Sequence, residues 1–411
     1  MKSNNRFILF LVIFSLAGCG GGGPSNYAPN NAGGGSNSGL SGSPGSSAAT
    51  QNALAITVSD PLYPNKPTVS ITVCEPGTAN CQTVDNVLLD TGSFGLRIFK
   101  QAMTGISLPQ VAVGNVPVAE CVAYADGSGD WGPLRSADIV LGGETASSVP
   151  VQVIDAGYFN GAIPVQCQSP NVVSLDRDPA SAGINGILGV GLFAQDCGQG
   201  CADKVNNGLY FTCSGTSCSP AAVPLSSQVQ NPVVLLKQDN NGVIVQFPSV
   251  PMGGKPAVGG QLILGIGTRQ NNTPSGVKAY AADANGEFST AFNGTTQTSF
   301  IDSGSNGLFF SDSSLPLCSS PNEGWYCVQP VQALSAVNAG YTGSPGGAVT
   351  FSIGDAASLF QNPANSAFVE LGGSMPGGGF DWGLPFFFGR TVVVGIEGAG
   401  SVLGTGPYWA Y

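Results

Sequence analysis

The 411-residue sequence contains no histidine. That absence excludes Ser–His–Asp and Cys–His catalysis, which need an imidazole base, and histidine-ligated zinc. Charge is also scarce, at 9% of residues, and it is lopsided: 13 basic against 24 acidic side chains, a net −11. No basic surface is left to hold a phosphate backbone, so nucleic acid is not an expected partner. No recognisable S-x-x-K supports Ser–Lys chemistry. What remains is carboxylate acid–base chemistry, a cysteine-only metal site, or no catalysis. Glycine (61) and proline (29) are abundant, and 42% of residues are hydrophobic. That mixture suits many short strands joined by tight turns. The length suffices for two domains or one bilobal body.

Lys2 and Arg6 precede an apolar run over residues 7–17. The run is too short to span a bilayer comfortably and reads as a signal-peptide core. It ends in Leu16-Ala17-Gly18-Cys19, which resembles a bacterial lipobox. The resemblance implies removal of residues 1–18, diacylglycerol on the Cys19 sulfur and N-acylation. The implied location is the cell envelope, with the membrane as partner through the lipid. Gly20, where an Asp would retain the protein at the inner membrane, favours the outer one. Residues 19–50 are too polar and glycine-rich to fold. They are expected to form a flexible tether of roughly 30 Å.

Ten further cysteines form an even set: Cys74, Cys81, Cys121, Cys167, Cys197, Cys201, Cys213, Cys218, Cys318 and Cys327. In an exported chain this reads as up to five disulfides. Pairing near neighbours gives 74–81, 197–201, 213–218 and 318–327, and leaves 121–167. The rival, a cysteine-ligated zinc, lacks a CxxC. No metal and no cofactor are expected.

The chain carries one long-range repeat. LLDTGSFGLRIF at 88–99 matches SFIDSGSNGLFF at 299–310, which sets Asp90 and Asp302 212 positions apart, a lobe-sized interval. Two strand-end Asp loops, one per lobe, can hold two carboxylates that share one proton. The ionised member activates water and the protonated member donates to the substrate carbonyl. Gly92 and Gly304 allow the backbone to turn. Ser93 and Ser305 can donate to the outer carboxylate oxygens, and Thr91 and Ser303 can bond across to the opposite lobe.

With these two D-[TS]-G-S loops the chain resembles the pepsin-like aspartic peptidases. The resemblance implies a mostly all-β, bilobal fold with two pseudo-symmetric lobes and a cleft between them. It also implies a flap, met here by YADGSGDWG at 124–132, with Tyr124, Gly127 and Ser128 facing substrate. Ala125 replaces the usual Gly. Each lobe should also carry an apolar–apolar–Gly segment crossing beneath its Asp loop. Ile187-Leu188-Gly189 and Phe387-Phe388-Gly389 are the candidates. GGQLILGIG at 259–267 stands where the inter-lobe strand lies, giving lobes at 51–268 and 269–411. The chain also resembles a group of bacterial lipoproteins that end in a GPYWAY-like tail, here 406–411.

Two residues depart from the family pattern. Arg97 stands where a tryptophan usually braces the flap tyrosine, and Phe94 where a small polar residue is usual. A cysteine-rich stretch at 195–220 reads as an insertion able to narrow the cleft. The expected function is an aspartic endopeptidase, tethered to the envelope, monomeric and acting on peptide or protein. The alternatives are a silent member of the fold that binds peptide or glycan, and a structural lipoprotein. Paired aspartates also serve glycosidases, but the repeated D-T/S-G-S form does not call for that.

Overall fold

The computed structural model describes residues 52–161, 163–168 and 172–411. The signal-like run, Cys19 and the 19–50 segment lie outside them. Most described residues form strands or the turns between them, in a 17-stranded sheet and a seven-stranded sheet. The strands alternate as half-buried strands must. Ala53–Val58, for example, buries every second residue. No helix among the described residues is long and apolar enough to cross a membrane.

Each half of the chain builds the same three-strand motif. In the first half, Cys81–Asp90 runs into the Asp90 loop and Phe94–Phe99 leaves it. Gly186–Val190 inserts between them, parallel to the first with Gly189 opposite Asp90, and antiparallel to the second. In the second half, Thr295–Ile301 leads to Asp302 and Leu308–Phe310 leaves. Phe380–Trp382 inserts between them with the same two directions. Glycine is required where the inserted strand passes the loop. A Cβ at Gly189 would lie 2.6 Å from the Phe94 nitrogen, and one at Gly383 would lie 2.0 Å from the Gly307 carbonyl oxygen.

The first crossing segment is the Ile187-Leu188-Gly189 expected from the sequence. The second is not. Phe387-Phe388-Gly389 closes a 3-10 helix (Leu384–Phe387) and turns into the Val-rich strand Thr391–Gly395. The crossing strand is Phe380-Asp381-Trp382, followed by Gly383. The aspartate interrupts the apolar run that marks such a strand, whereas the segment seven residues on is apolar throughout and resembles one more closely.

The two motifs are joined by antiparallel strands from both ends of the chain. Val258–Leu264 pairs with Ala53–Val58 and with Gly242–Gln246, which pairs in turn with Thr391–Gly395. Tyr408–Ala410 closes the set against Thr391–Gly395 and Ala279–Ala281. The 406–411 tail is therefore part of the framework. Trp409 Nε1 donates to the Gly286 carbonyl at 3.0 Å and Tyr411 stacks on Tyr280 at 4.8 Å. Five disulfides join Cys74–Cys81, Cys121–Cys167, Cys197–Cys201, Cys213–Cys218 and Cys318–Cys327, the pairs inferred from spacing. In the second half an aromatic core of Phe292, Phe310, Phe351, Phe380 and Trp382 supports the motif. Phe380 stacks on Phe310 at 4.8 Å and on Trp382 at 4.2 Å, and such pairs contribute about 0.5–1.5 kcal/mol beyond area burial.

Candidate active site

Asp90 ends its strand and Asp302 follows Ile301, so both carboxyls emerge at the same end of two equivalent motifs. The two carboxyl groups are hydrogen-bonded to each other, and both are fully buried. Gly92 N–H donates to Asp90 Oδ1 at 2.7 Å and Ser93 Oγ to Oδ2 at 2.5 Å. The second loop repeats this, with Gly304 N–H to Asp302 Oδ1 at 2.7 Å and Ser305 Oγ to Oδ2 at 2.8 Å. Each Asp is thus held in plane by its own loop.

The loops are also locked to each other. Thr91 Oγ1 donates to the Ile301 carbonyl at 2.9 Å and accepts from Ser303 N–H at 2.9 Å. Ser303 Oγ donates to the Leu89 carbonyl at 2.7 Å and accepts from Thr91 N–H at 3.1 Å. The glycines permit this approach. A Cβ at Gly92 would sit 2.6 Å from Asp302 Cγ, and one at Gly304 would sit 2.9 Å from Asp90 Cγ. The six supporting residues anticipated around the dyad therefore all touch it or cross it.

Burial raises both carboxyls, because a low-dielectric site disfavours charge. Asp302 is pushed well above the usual range by burial and then by the Asp90 charge. Asp90 is raised by burial, but hydrogen bonds from Asp302, Ser93 and Gly92 oppose the rise. The two carboxyls titrate as one pair that shares a proton, and the hydrogen bonds to Asp90 favour the charge on its side. Such a pair can deprotonate a water and protonate a carbonyl oxygen in one step.

The flap is the hairpin of Val116–Ala123 and Ser128–Leu141. Gly127, at φ +85°, makes its turn, and Ser128 N–H donates to Asp126 Oδ1 at 2.8 Å. Tyr124 is fully buried, and its hydroxyl donates to Asp130 Oδ2 at 2.8 Å. The flap is held on both sides. The Gly127 carbonyl accepts from Val173 and Ser174 N–H at 2.8 and 3.2 Å, and Cys121–Cys167 ties the same covering segment to the hairpin. On the other edge, Tyr210–Ser214 pairs with the flap strand, with Tyr210 opposite Glu120. The 195–220 stretch thus backs the flap at its outer edge, where the sequence had suggested a narrowing of the cleft.

Residues 48–411 match the family model described as "Protein of unknown function (DUF3443)". The chain belongs to the DUF3443 family. No curated protein matches its sequence. Among solved structures, the aspartic proteinase from Irpex lacteus matches with a TM-score of 0.52 at 14% identity, over 87% of this chain and 96% of that one. At that identity the likeness is one of fold: the DUF3443 chain has a pepsin-like architecture.

Arg97 organises what surrounds the dyad in this DUF3443 protein. Its guanidinium is fully buried, donating to Glu120 Oε1 and Asp196 Oδ2 at 2.8 Å each and to the Phe94 carbonyl at 2.9 Å. Tyr210 Oη donates to Asp196 Oδ1 at 2.5 Å. Burial, then the charge of Glu120, pushes Asp196 well up. Asp130 is pushed up to about 8 by burial and the Asp176 charge. Phe94 packs into the core, edge-on to Phe193 at 5.1 Å.

Sequence reasoning missed Glu120, Asp130 and Asp196, although a lone Arg97 in an apolar strand demands buried acids somewhere. It also missed the 60–67 loop. Asn65 Nδ2 donates across to the Asn306 and Phe368 carbonyls at 2.9 Å each. Tyr63 packs with Leu88, Tyr124 and Ile187 beside the dyad. Flap and loop together close the cleft, and surface hollows of about 630 and 670 Å³ lie elsewhere. Among the described residues, the one grouping spaced to hold a metal is Cys318, Cys327 and Asp355. Its two cysteines are joined in a disulfide, which removes both thiolates.

Proposed function

We propose that this DUF3443 protein is an aspartic endopeptidase that hydrolyses peptide bonds with Asp90 as base and Asp302 as acid. The observation that carries the reading is the hydrogen-bonded pair of carboxyls, each held by its own Gly N–H and Ser hydroxyl. Both loops keep the full set of donors that acid–base chemistry by the pair requires. Water lies between the carboxyls, Asp90 takes its proton, and the water oxygen attacks the carbonyl. Asp302 protonates the carbonyl oxygen, and the tetrahedral intermediate then collapses with a proton passing to the leaving amine. No cofactor takes part. Lipidation at Cys19 and the 19–50 tether would hold a monomeric body at the envelope, a proposal that rests on the lipobox-like sequence.

A second reading, a cleft that binds peptide or glycan without cleaving it, is favoured by one observation. The flap is pinned and the dyad is sealed. The two are separated by incubating the purified protein with unfolded protein and a broad peptide library between about pH 3 and 7, with and without a statine-containing peptide inhibitor. Inhibitor-sensitive cleavage supports the peptidase. Binding of the inhibitor with no cleavage of any peptide supports the silent receptor.

A further inference from the structure

Asp381 is a third buried acid beside the dyad. It lies in the middle of the crossing strand, between Phe300 on one neighbouring strand and Phe309 on the other. It is fully buried, and neither of its carboxyl oxygens has a hydrogen-bond partner. Directly paired residues share a face of a sheet. Asp381 therefore shares its face with Phe300 and Phe309, while Phe380 and Trp382 turn to the other side and stack in the core.

That face lies against the flap tip. Phe300 and Phe309 cluster with Trp325 and Phe368, and Ala125 at the flap tip packs against them. Phe300 precedes Asp302 by two residues. Ser305, which donates to Asp302, also lies within reach of the Asp381 carboxyl. The first lobe provides the control. Its residue in the same register is Ile187, paired with Leu88 as Asp381 is with Phe300. The fold itself therefore does not require an acid here, and leaving a buried polar group without a partner costs about 1–3 kcal/mol.

We infer that Asp381 is the floor of a specificity pocket that takes a lysine or arginine side chain of the substrate next to the scissile bond, on the second-lobe side. The pocket deepens the peptidase reading and rests on it. Its walls are aromatic and suit a cation, which is attracted to ring faces. Its floor is an acid whose neighbouring hydroxyl, Ser305, already donates to Asp302. Without substrate the acid stays neutral, because burial and the Asp90 charge hold its proton well above the usual range. An incoming ammonium or guanidinium, entering as the flap lifts, displaces that proton to solvent and forms an ion pair. Breaking that pair by removing the acid leaves a buried cation uncompensated, so the preference should be large.

The test uses matched peptides that carry lysine or its uncharged analogue norleucine at each position flanking the scissile bond, with wild type, Asp381→Leu and Asp381→Asn. Wild type should cleave one lysine peptide at least tenfold faster, in kcat/KM, than its norleucine partner. Asp381→Leu should reverse that order and keep its fold in thermal unfolding, with Asp381→Asn as the conservative check. In parallel, calorimetry of the same sequences built around statine reads binding without turnover. Preferential binding of the lysine form to wild type but not to Asp381→Leu supports the pocket even if nothing is cleaved, and that outcome would sink the peptidase reading alone. Cleavage with the same preference in wild type and Asp381→Leu overturns the pocket alone. Neither cleavage nor lysine-selective binding overturns both.

Discussion

Arg97 is where the first Asp loop and the flap are tied together. It sits on the strand leaving the Asp90 loop, and its partner Glu120 lies on the flap strand. A buried arginine between two buried acids is costly to dismantle, because removal of one partner strands the others. Arg97→Met should therefore lower unfolding free energy by about 3–5 kcal/mol, read by denaturant titration. A loss below about 1 kcal/mol would mean that water or relaxation compensates the acids. The dyad residues themselves were legible in the sequence, because the loop chemistry is local: an Asp, a hydroxyl, a Gly and a Ser in consecutive positions. The network around Arg97 was not, because Glu120 and Asp196 approach it from distant segments. Asp381 was hidden for a different reason. An acid inside FDWG reads as a break in an apolar strand until the strand is seen to run between two others.

At the scale of elements, the flap decides access. Its turn was readable from YADGSGDWG, since Gly127 and Asp126 are ordinary turn chemistry. Its covering was not readable, since residues 165–176 carry no motif that announces a contact with the flap. The Cys121–Cys167 crosslink joins the two, with a separation of 46 residues. Loop closure over that length contributes about 4 kcal/mol in the chain-entropy model. Replacing both cysteines by serine should lower the thermal midpoint and speed amide exchange across 121–131, measured by hydrogen-exchange mass spectrometry. Exchange in the Phe380–Trp382 strand should stay as in wild type. If the flap amides remain as protected as before, pairing with Ser174–Leu175 alone pins the hairpin. If the cleft must open for substrate, the same variant should also cleave faster. Tyr63→Ala tests the other cover. It removes a phenol packed against Tyr124 and Ile187, and inhibitor association should quicken several-fold in a stopped-flow measurement.

The whole molecule carries an excess of buried acids, and this sets its pH response. Asp130 holds its proton to about pH 8 when folded, and near its ordinary 3.8 when unfolded. Between those values the folded chain binds more protons than the unfolded one, so stability falls as pH rises. Asp90, Asp196, Asp302 and Asp381 shift in the same direction. Each such acid contributes a slope of about 1.4 kcal/mol per pH unit within its window. Asp60, Asp239 and Asp355 are lowered, and their stabilisation is lost only as pH falls below the ordinary carboxylate range. The thermal midpoint should therefore be higher near pH 5 than near pH 8, by differential scanning calorimetry. A midpoint that climbs toward pH 8 would contradict the protonated network. The mostly β, two-part architecture was legible from glycine, proline and the repeated Asp loop. The way the chain's last residues close the joining sheet was not, because GPYWAY alone does not say which strand it pairs with.

The central claim is that Asp90 and Asp302 act as one proton-sharing pair on a peptide bond. The most direct test is the rate of cleavage of a single peptide against pH for wild type, Asp90→Asn and Asp302→Asn. The account predicts a bell-shaped profile on the acid side for wild type, and a loss of at least about a thousandfold in either variant at unchanged fold. Cleavage that survives in Asp90→Asn, or a folded wild type that cleaves no peptide at any pH from 3 to 7, would contradict it.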